Sequence, residues 1–590
     1  MATYSLTLRE SIGRRLTIGE LDNNFLYLED LASQGGGASV DSGQIAFGGT
    51  ASGLTSSISL TFDQSSKNLI FGITSSITSS IASVIMGGGF NTLSNNSNGS
   101  DIIGGSFNTL TGTSSASSIV GGLCNTLYNN SYRSSIMGGG FNTLSDNSSN
   151  SSIIGGYCNT LSNSSRYSSI IGGYNNSLSC ELYNSSIIGG YNNTLFYDSN
   201  DSSIIGGECN TLSCNSGQSS IIGGYCNTLY DSNDSSILGG LYNTLCSSSR
   251  STIMAGCCNI IATQSTNSSI IGGFCNTLTN NSCYSSIIGG AFNTLSCSGF
   301  SSIIGGLQNS IGTQSSYSSI VGGGYNKLFN NSCYSSIIGG RFNEVSCFSR
   351  NSSIIGGCFN ILSDNSCKSS IIGGLCNTLS GTSSFSSIIG GVGNILSNNS
   401  CLSSIIGGIC NTLSDNSCYS SIIGGSSNTL SCCSRNSSIV GGQCNILSCL
   451  SCNSSIVGGY CNTLSGTSSY SSMIGGICNT LSNSSRSSII GGGQCNTLTG
   501  NSCLSSIIGG YCNTITTQSS NSSIIGGQSS TMSNSCNSVI IGGNGLVLTS
   551  QNNTLLTPNL ILATWSTTDP QVLGKLWMDP LTCNILISQG

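Results

Sequence analysis

One short repeat occupies most of this chain. Its consensus reads S-S-I-I-G-G-x-[C/F/N]-N-T-L-S, followed by about five variable polar residues, and 28 such units start between Ile85 and Ile540. Most units have 17 residues, a few have 16, and the unit from Ile489 to Ile507 reads as 18, with Gly493 as an inserted residue. Because equal units of this size stack on one another, the repeat constrains the fold more than any other feature.

The unit is too short for a pair of helices, and Ile-Ile followed by Gly-Gly is poor helix material. Two short strands, SSII and NTL, joined by two turns fit the length. The sequence therefore predicts an all-β protein, a parallel β-solenoid of about 28 coils with 16–18 residues in each. The Gly pair marks a bend. We interpret the recurrent Asn as a stacked structural ladder rather than a ligand site; examples are Asn159, Asn176, Asn193 and Asn210.

The two adjacent Ile residues of each unit point to opposite faces of their strand. One enters the interior of the solenoid, and its neighbour faces outward. A repeated outward Ile, Val or Met makes an apolar stripe, which soluble monomers rarely expose. The stripe predicts that copies of the same chain cover it, as a homo-oligomer.

The two ends differ in composition from the repeats. Residues 1–37 carry a capping-box spacing at Thr17 and Glu20 and predict a short amphipathic α-helix. Two heptads are too short to be stable alone, so this helix either packs on another element or bundles with its copies. Its predicted seam, spaced 3, 4, 3 and 4 residues apart, consists of Ile18, Leu21, Phe25, Leu28 and Ala32.

Three further segments follow from the same reasoning. Residues 38–84 read as a β-hairpin that begins the first coil and covers its open edge, and residues 85–545 form the repeat shaft. Residues 546–590 contain all three prolines and both tryptophans, Trp565 and Trp577. This last segment is either a plain cap on the final coil or an anchor for an interface.

Composition excludes several classes of function. The chain has 14 Lys+Arg, 20 Asp+Glu and no His. General acid–base catalysis depends mostly on His and paired carboxylates, so we predict no enzymatic activity and no cofactor. Nucleic-acid binding needs clustered positive charge, which is absent, and no apolar run is long enough for a membrane span. No secretory signal peptide is visible at the start of the sequence.

Cysteine is the one reactive residue type in abundance, with 32 copies. Cysteines at one offset in successive coils would stack about 4.8 Å apart, near the Cα separation of a disulfide. Three interpretations stay open: small thiols that fill a structural slot, disulfides between coils or chains, and metal binding. The absence of His makes metal the weakest. The candidate cysteine ladder consists of Cys444, Cys461, Cys478, Cys495 and Cys512.

Several segments resemble viral fibre proteins. LTIGELDNNFLYLEDLA (16–32) resembles an N-terminal motif of phage and large-virus tail-fibre proteins, and STTDPQVLGKLWMDPLTCNILISQG (566–590) is similar to a closing segment of phage structural proteins. GQIAFGGTASGLTSSISLTFDQSSKNLIFG (43–72) resembles the transition segment of such fibres. The repeats are similar to viral fibre solenoids and, more distantly, to the heads of trimeric autotransporter adhesins.

The resemblance implies a homotrimer, intertwined or side by side, in a structural tail or capsid fibre of a virion. Its N-terminus would join a virion or tail protein, and its far end would meet a host-surface receptor or glycan. The alternative is a cellular adhesin or extracellular matrix filament. An ice-binding solenoid is disfavoured, because such a face needs a double array of Thr and each coil supplies one.

Overall fold

The computed structural model describes residues 59–483 and 486–558 and two short strands at 576–578 and 585–587. The chain divides into two compact units, residues 1–322 and 323–590. In its described residues each unit is an all-β parallel β-solenoid. The two units together contain about 29 turns, and no helix occurs in the described residues. The solenoid predicted from the repeat is confirmed.

Each coil contributes two short strands, which we assign to two faces. Face A holds the S-I-I strands, and each pairs in parallel and in register with its neighbour, as Ile153 does with Ile136 and Ile170. Face B holds the T-L strands, which pair in the same way, as Leu161 does with Leu144 and Leu178. β-Branched residues are common in strands because they pack well on a pleated surface. The Ile-rich segment therefore favours the strand conformation that it has on face A.

In the first unit the face A strands are Asn68–Ile73, Val84–Gly89, Asp101–Ile103, Ser118–Val120, Ser135–Met137, Ser152–Ile154, Ser169–Ile171, Ser186–Ile188, Ser203–Ile205, Ser220–Ile222, Ser236–Leu238, Thr252–Met254, Ser269–Ile271, Ser286–Ile288, Ser302–Ile304 and Ser319–Val321. Its face B strands are Ser76–Ile77, Thr92–Leu93, Thr109–Leu110, Thr126–Leu127, Thr143–Leu144, Thr160–Leu161, Ser177–Ser179, Thr194–Phe196, Thr211–Ser213, Thr228–Tyr230, Thr244–Cys246, Ile260–Ile261, Thr277–Thr279, Thr294–Ser296 and Ser310–Ile311.

In the second unit the face A strands are Ser336–Ile338, Ser353–Ile355, Ser370–Ile372, Ser387–Ile389, Ser404–Ile406, Ser421–Ile423, Ser438–Val440, Ser455–Val457, Ser472–Ile474, Ile489–Gly491, Ser506–Ile508, Ser523–Ile525, Val539–Ile541 and Leu555–Leu556. Its face B strands are Lys327–Leu328, Glu344–Val345, Ile361–Leu362, Thr378–Leu379, Ile395–Leu396, Thr412–Leu413, Thr429–Leu430, Ile446–Leu447, Thr463–Ser465, Thr480–Ser482, Thr497–Leu498, Thr514–Thr516, Thr531–Ser533 and Val547–Thr549.

Antiparallel pairs occur at two places in the described residues. Ser59–Asp63 pairs with Asn68–Ile73, which in turn pairs in parallel with Val84–Gly89. This hairpin lies along the outer edge of the first coil, and a covered edge protects a solenoid from pairing with other chains. The second pair joins Leu576–Met578 to Ile585–Ile587.

The core is a narrow interior filled from both faces. The middle residue of each face A strand and the second residue of each face B strand are fully buried along the repeats, as Ile153 and Leu161 show. The rest of the interior is polar, because Asn159 and the serines at the variable turn are also buried. Such a polar interior is stable only when each group finds a hydrogen-bond partner.

The corner after each face A strand depends on the second glycine of the Gly pair. Gly425 has a φ of +80°, and a Cβ at this position would overlap the Asn428 side-chain amide and the carbonyl oxygen of Gly442. Gly424 also has a positive φ, but a Cβ there would meet no atom within 4 Å. Ala255 occupies this first position in one coil, with a φ of 58°. Only the second glycine is therefore required for space.

The shorter coils fit the stack because they lose one residue from the variable turn. An ordinary coil places two residues in the left-handed region there, such as Asn163 and Ser164, whereas the shorter coil after Leu229 has only Asp231 at this point. The ladder is unaffected, because the backbone N–H of Asn243 still donates to Asn227 Oδ1 at 3.0 Å.

The structure corrects the predicted long unit. The buried residues of three neighbouring face A strands are Met473, Ile490 and Ile507. The number of residues from Met473 to Ile490 equals the number from Ile490 to Ile507, and both equal the length of an ordinary coil. Ile489 occupies the position held by Ser472, and Gly491 the position held by Ile474. The prediction of Gly493 as an insertion was wrong, because the buried position of the strand, and not the Ile-Ile doublet, fixes the register.

Candidate functional site

An apolar stripe lies on face A of each unit. In most coils the third residue of the face A strand points to solvent, directly beside its buried neighbour. For example, Ile423 is 42% exposed and Ile422 is fully buried. The predicted in-and-out arrangement of the Ile pair is confirmed. We call these outward residues the outer stripe; in the first unit they include Ile154, Ile171, Ile188, Ile205 and Ile222, and in the second Ile355, Ile372, Ile389, Ile406 and Ile423.

A column of small polar residues lies beside the outer stripe. The first residue of a face A strand points to the same side as the third, since strand side chains alternate. This first column is Ser in most coils, for example Ser404 and Ser421, and these residues are half-buried. Each strand thus presents one short hydroxyl and one large aliphatic group, about 7 Å apart. The result is a regular two-column surface.

The predicted asparagine ladder is present inside the coils. The N–H of Asn159 donates to Oδ1 of Asn142 one coil away at 3.0 Å, and Asn159 Nδ2 donates to the carbonyl oxygens of Gly172 and Gly173, both at 3.3 Å. Each Asn therefore connects three successive coils. These amides are buried and their polar atoms are used in the stack, so the ladder is structural.

Buried serines form two further ladders that sequence reasoning did not identify. The N–H of Ser168 donates to Ser151 Oγ at 3.1 Å, and Ser151 Oγ donates to the Ser165 carbonyl oxygen at 3.0 Å. In the second ladder the N–H of Ser165 donates to Ser148 Oγ at 3.2 Å. The signal was present in the repeat, because both serines keep a fixed offset within the otherwise variable segment.

The candidate cysteine ladder lies on an outer corner. All five residues adopt a left-handed backbone immediately before the ladder Asn, and each is half-buried except the exposed Cys478. Partial burial raises the pKa of the Cys444 thiol, and the neighbouring Cys461 raises it further. The same slot holds Phe141, Asn175 and Ser427 in other coils. The described cysteines all carry free thiols.

A second cysteine column has a clear structural role. Its thiols donate to the carbonyl oxygen of a turn residue in the preceding coil, as Cys418 Sγ does to Asn399 at 2.9 Å and Cys401 Sγ to Thr382 at 3.2 Å. Ser384 occupies the same position and makes the same bond through Oγ to Asn365 at 3.1 Å. Cys and Ser are therefore equivalent donors here.

Aromatic side chains stack along the outer corners. Tyr284, Phe300 and Tyr317 lie with ring centroids 4.8 Å apart and nearly parallel planes. Tyr325 and Phe342 stack at 4.7 Å in the second unit, and the Arg341 guanidinium lies 5.2 Å from the Tyr325 ring. Stacked aromatic pairs of this kind stabilise the corners.

Several of the described acidic residues lie on the variable turns. Asp198, Asp201 and Asp234 line one surface depression together with asparagines, and Asp231 accepts a hydrogen bond from Ser247 Oγ at 3.1 Å. The Arg250 guanidinium lies 3.9 Å from the Asp234 carboxylate in an exposed pair. In the part of the chain that the structure describes, no cluster of three Cys, Asp or Glu side chains could hold a metal ion.

The predicted terminal sites fall largely outside the described residues. This applies to the helix seam Ile18, Leu21, Phe25, Leu28 and Ala32 and to Trp565. Trp577 lies on a described strand, opposite Leu586. Residues 59–483 and 486–558 contain no helix long and apolar enough to cross a membrane.

Comparison with known proteins adds no relative. Neither a scan against protein-family models nor a search of curated proteins finds a match to this chain.

Proposed function

We propose that the chain is the structural shaft of a viral fibre. In this proposal several parallel copies form a rigid rod. The resemblance of the repeats to the heads of trimeric adhesins favours three copies. The N-terminal segment joins a virion or tail protein, and the far end meets a host-surface receptor or glycan. The chain has no catalytic role.

The outer stripe is the observation that carries the proposal. The interior of each coil is already filled by its own Ile, Leu, Asn and Ser residues, so the outward Ile contributes nothing to that core. Covering one such side chain stabilises an assembly by on the order of 1 kcal/mol. Ten or more in one unit contribute on the order of 10 kcal/mol, which is comparable with the roughly 4–15 kcal/mol that association costs.

The ladders support a mechanical role. Each coil is joined to the next by backbone bonds on both faces and by Asn and Ser side chains inside. Near-identical coils offer no unique pocket, so their contribution is length and stiffness. The tail-fibre-like segments at 16–32 and 566–590 support placing the specific contacts at the two ends.

Antibodies raised against the repeat shaft would test this proposal by immuno-electron microscopy. Labelling of fibres that project from virus particles is the expected result. Labelling of a cell surface or an extracellular matrix instead would contradict it and favour an adhesin or matrix filament. Deleting residues 1–34 should remove the fibre from particles, while deleting several whole repeats should shorten it by about 4.8 Å per coil and leave it attached.

A further inference from the structure

One coil of the second unit departs from the two-column surface in both columns at once. Twelve face A strands run from Ser336–Ile338 to Ser523–Ile525. The first residue is Ser in each of them except at Ile489, and the third is Ile or Val except at Gly491. This coil therefore has a large side chain where the others have a hydroxyl, and no side chain where the others have a large one.

Nothing within the single chain requires this exchange. Gly491 is a strand residue without a positive φ, and a Cβ placed on it would meet its nearest neighbour, Ile508 Cγ2, at an ordinary 3.8 Å. Glycine weakens a strand and often marks the close approach of another group. Here the space lies on the outside, between Ile474 and Ile508, which are 55% and 50% exposed. Ile489 itself is 43% exposed.

We call the large side chain of Ile489 the bump and the position of Gly491, which has no side chain, the notch. Rotational symmetry relates the bump of one copy to the notch of another. A rotation about an axis along the stacking direction keeps every coil at its own level. It also brings the first column of one copy opposite the third column of the next. Ile489 then faces Gly491 of the neighbouring copy, and every other level between residues 336 and 525 pairs Ser with Ile or Val. An axis perpendicular to the stacking direction instead pairs like columns and reverses the levels, which leaves both irregularities unmatched.

We infer that face A of residues 336–525 packs against the same face of a second copy, parallel and in register, with Ile489 seated against Gly491 of that copy. This inference rests on the proposed assembly of the fibre from copies of one chain. Along this face only the coil at 489–491 changes both columns, whereas Val440 and Val457 differ from the usual Ile by one methylene group. A shift by one coil would press Ile489 against Ile474 or Ile508, so the pair fixes the axial register.

A compensation experiment on the full chain tests the inference. The variants are Ile489→Ser, Gly491→Ile and the double variant, which restores the ordinary Ser-Ile-Ile coil. Sedimentation equilibrium gives the dissociation constant of the assembly, and circular dichroism on heating reports whether each chain is folded. Overpacking should make Gly491→Ile at least about tenfold weaker in assembly, and the void left by Ile489→Ser about fivefold weaker. The double variant should return to within about threefold of wild type.

A transplant provides the matched control. Ser421→Ile alone should weaken assembly, and adding Ile423→Gly should restore it by moving the same bump and notch to another level. Folding should survive in all these variants, whereas Ile490→Ser, which alters the buried residue, should unfold the region.

The two proposals fail in different ways. Additive losses in the double variant, or wild-type assembly by Gly491→Ile, would overturn the inferred packing. A wild-type chain that stays monomeric at micromolar concentration would overturn it as well. The immuno-electron microscopy result is independent of both outcomes and decides the viral role.

Discussion

The backbone N–H of Asn445 donates to the side-chain Oδ1 of Asn428, one coil away, at 3.0 Å. Asn428 Nδ2 donates in turn to the carbonyl oxygens of Gly441 and Gly442, at 3.3 and 3.2 Å. One fully buried side chain thus satisfies three backbone groups of the next coil.

Replacing Asn428 with Ala should leave the Asn445 N–H and the Gly441 carbonyl oxygen without partners, whereas the Gly442 carbonyl oxygen keeps the backbone N–H of Ser426 at 2.9 Å. Each buried unsatisfied group costs about 1–3 kcal/mol, so we expect local destabilisation of about 2 kcal/mol or more. Hydrogen–deuterium exchange of the Asn445 amide should accelerate accordingly. The exposed neighbour variant Ser427→Ala should leave that exchange rate unchanged, and equal protection in both variants would contradict the ladder's role.

The two glycines of one corner should respond differently to the same change. Gly425→Ala should disrupt the coil, because the added methyl group overlaps the Asn428 amide and the Gly442 carbonyl oxygen. Gly424→Ala meets open space and should cost only about 1 kcal/mol of backbone strain. Thermal unfolding of the two variants gives the comparison. Similar stabilities would show that the corner is not closely packed.

The adjacent residues Ile422 and Ile423 separate folding from assembly. Ile422→Asp places a carboxylate in the filled interior and should unfold the surrounding coils. Ile423→Asp places it on the outer stripe, where the chain should stay folded and the proposed assembly should weaken. Circular dichroism and sedimentation velocity measure the two effects. If the Ile423→Asp chain unfolds and any fraction that stays folded still assembles, the separation of folding at Ile422 from assembly at Ile423 is contradicted.

Asp101 should make the first coils less stable as the pH rises. Burial raises the pKa of this carboxyl above its ordinary 3.8, although a backbone hydrogen bond to Val84 acts in the opposite direction. The folded state then binds more protons than the unfolded state. Its contribution is present below pH 3.8 and is lost as the pH rises through the raised pKa. Asp101→Ser should therefore stabilise these coils at pH 7 and not at pH 3, by less than about 1 kcal/mol for a half-buried group. Amide exchange at both pH values measures this, and an equal gain at both would contradict it.

Cys461→Ser should be nearly neutral for folding. The slot lies on an outer corner and accepts Phe, Asn and Ser elsewhere, so we expect a change within about 0.5 kcal/mol. The adjacent ladder variant Asn462→Ala is the comparison, and it should be far more destabilising in a chemical denaturation series. A large loss from the Cys variant would indicate that the stacked thiols stabilise the coils.

Much of the fold could be predicted from the repeat. Three repeated features predicted the coil, because each has a geometric requirement that only a narrow coil satisfies. These features are the Ile pair, the Gly pair and the recurrent Asn. The oligomeric state could not be predicted in this way, because the exposed side chains of the outer stripe do not specify how many copies would cover them. The roles of the terminal segments likewise stay predictions.

Besides the serine ladders, two features escaped sequence reasoning for physical reasons. The exchange at Ile489 and Gly491 resembled an insertion because aligning the repeats by the letters SSII puts Ile489 at the buried position. The interior instead requires one aliphatic residue at a fixed distance along each coil. The thiols of Cys401 and Cys418 act as hydroxyl equivalents toward turn carbonyls, and spacing alone does not distinguish that role from a disulfide or a metal ligand.

The tolerance of the stack for coils of two lengths bears on inheritance. Every coil offers the same donors and acceptors to its neighbours, so loss or duplication of a whole repeat by unequal recombination rejoins compatible surfaces at any point. Related genomes should therefore encode versions that differ by integral numbers of repeats. The reach of the proposed fibre would then vary between lineages in discrete steps.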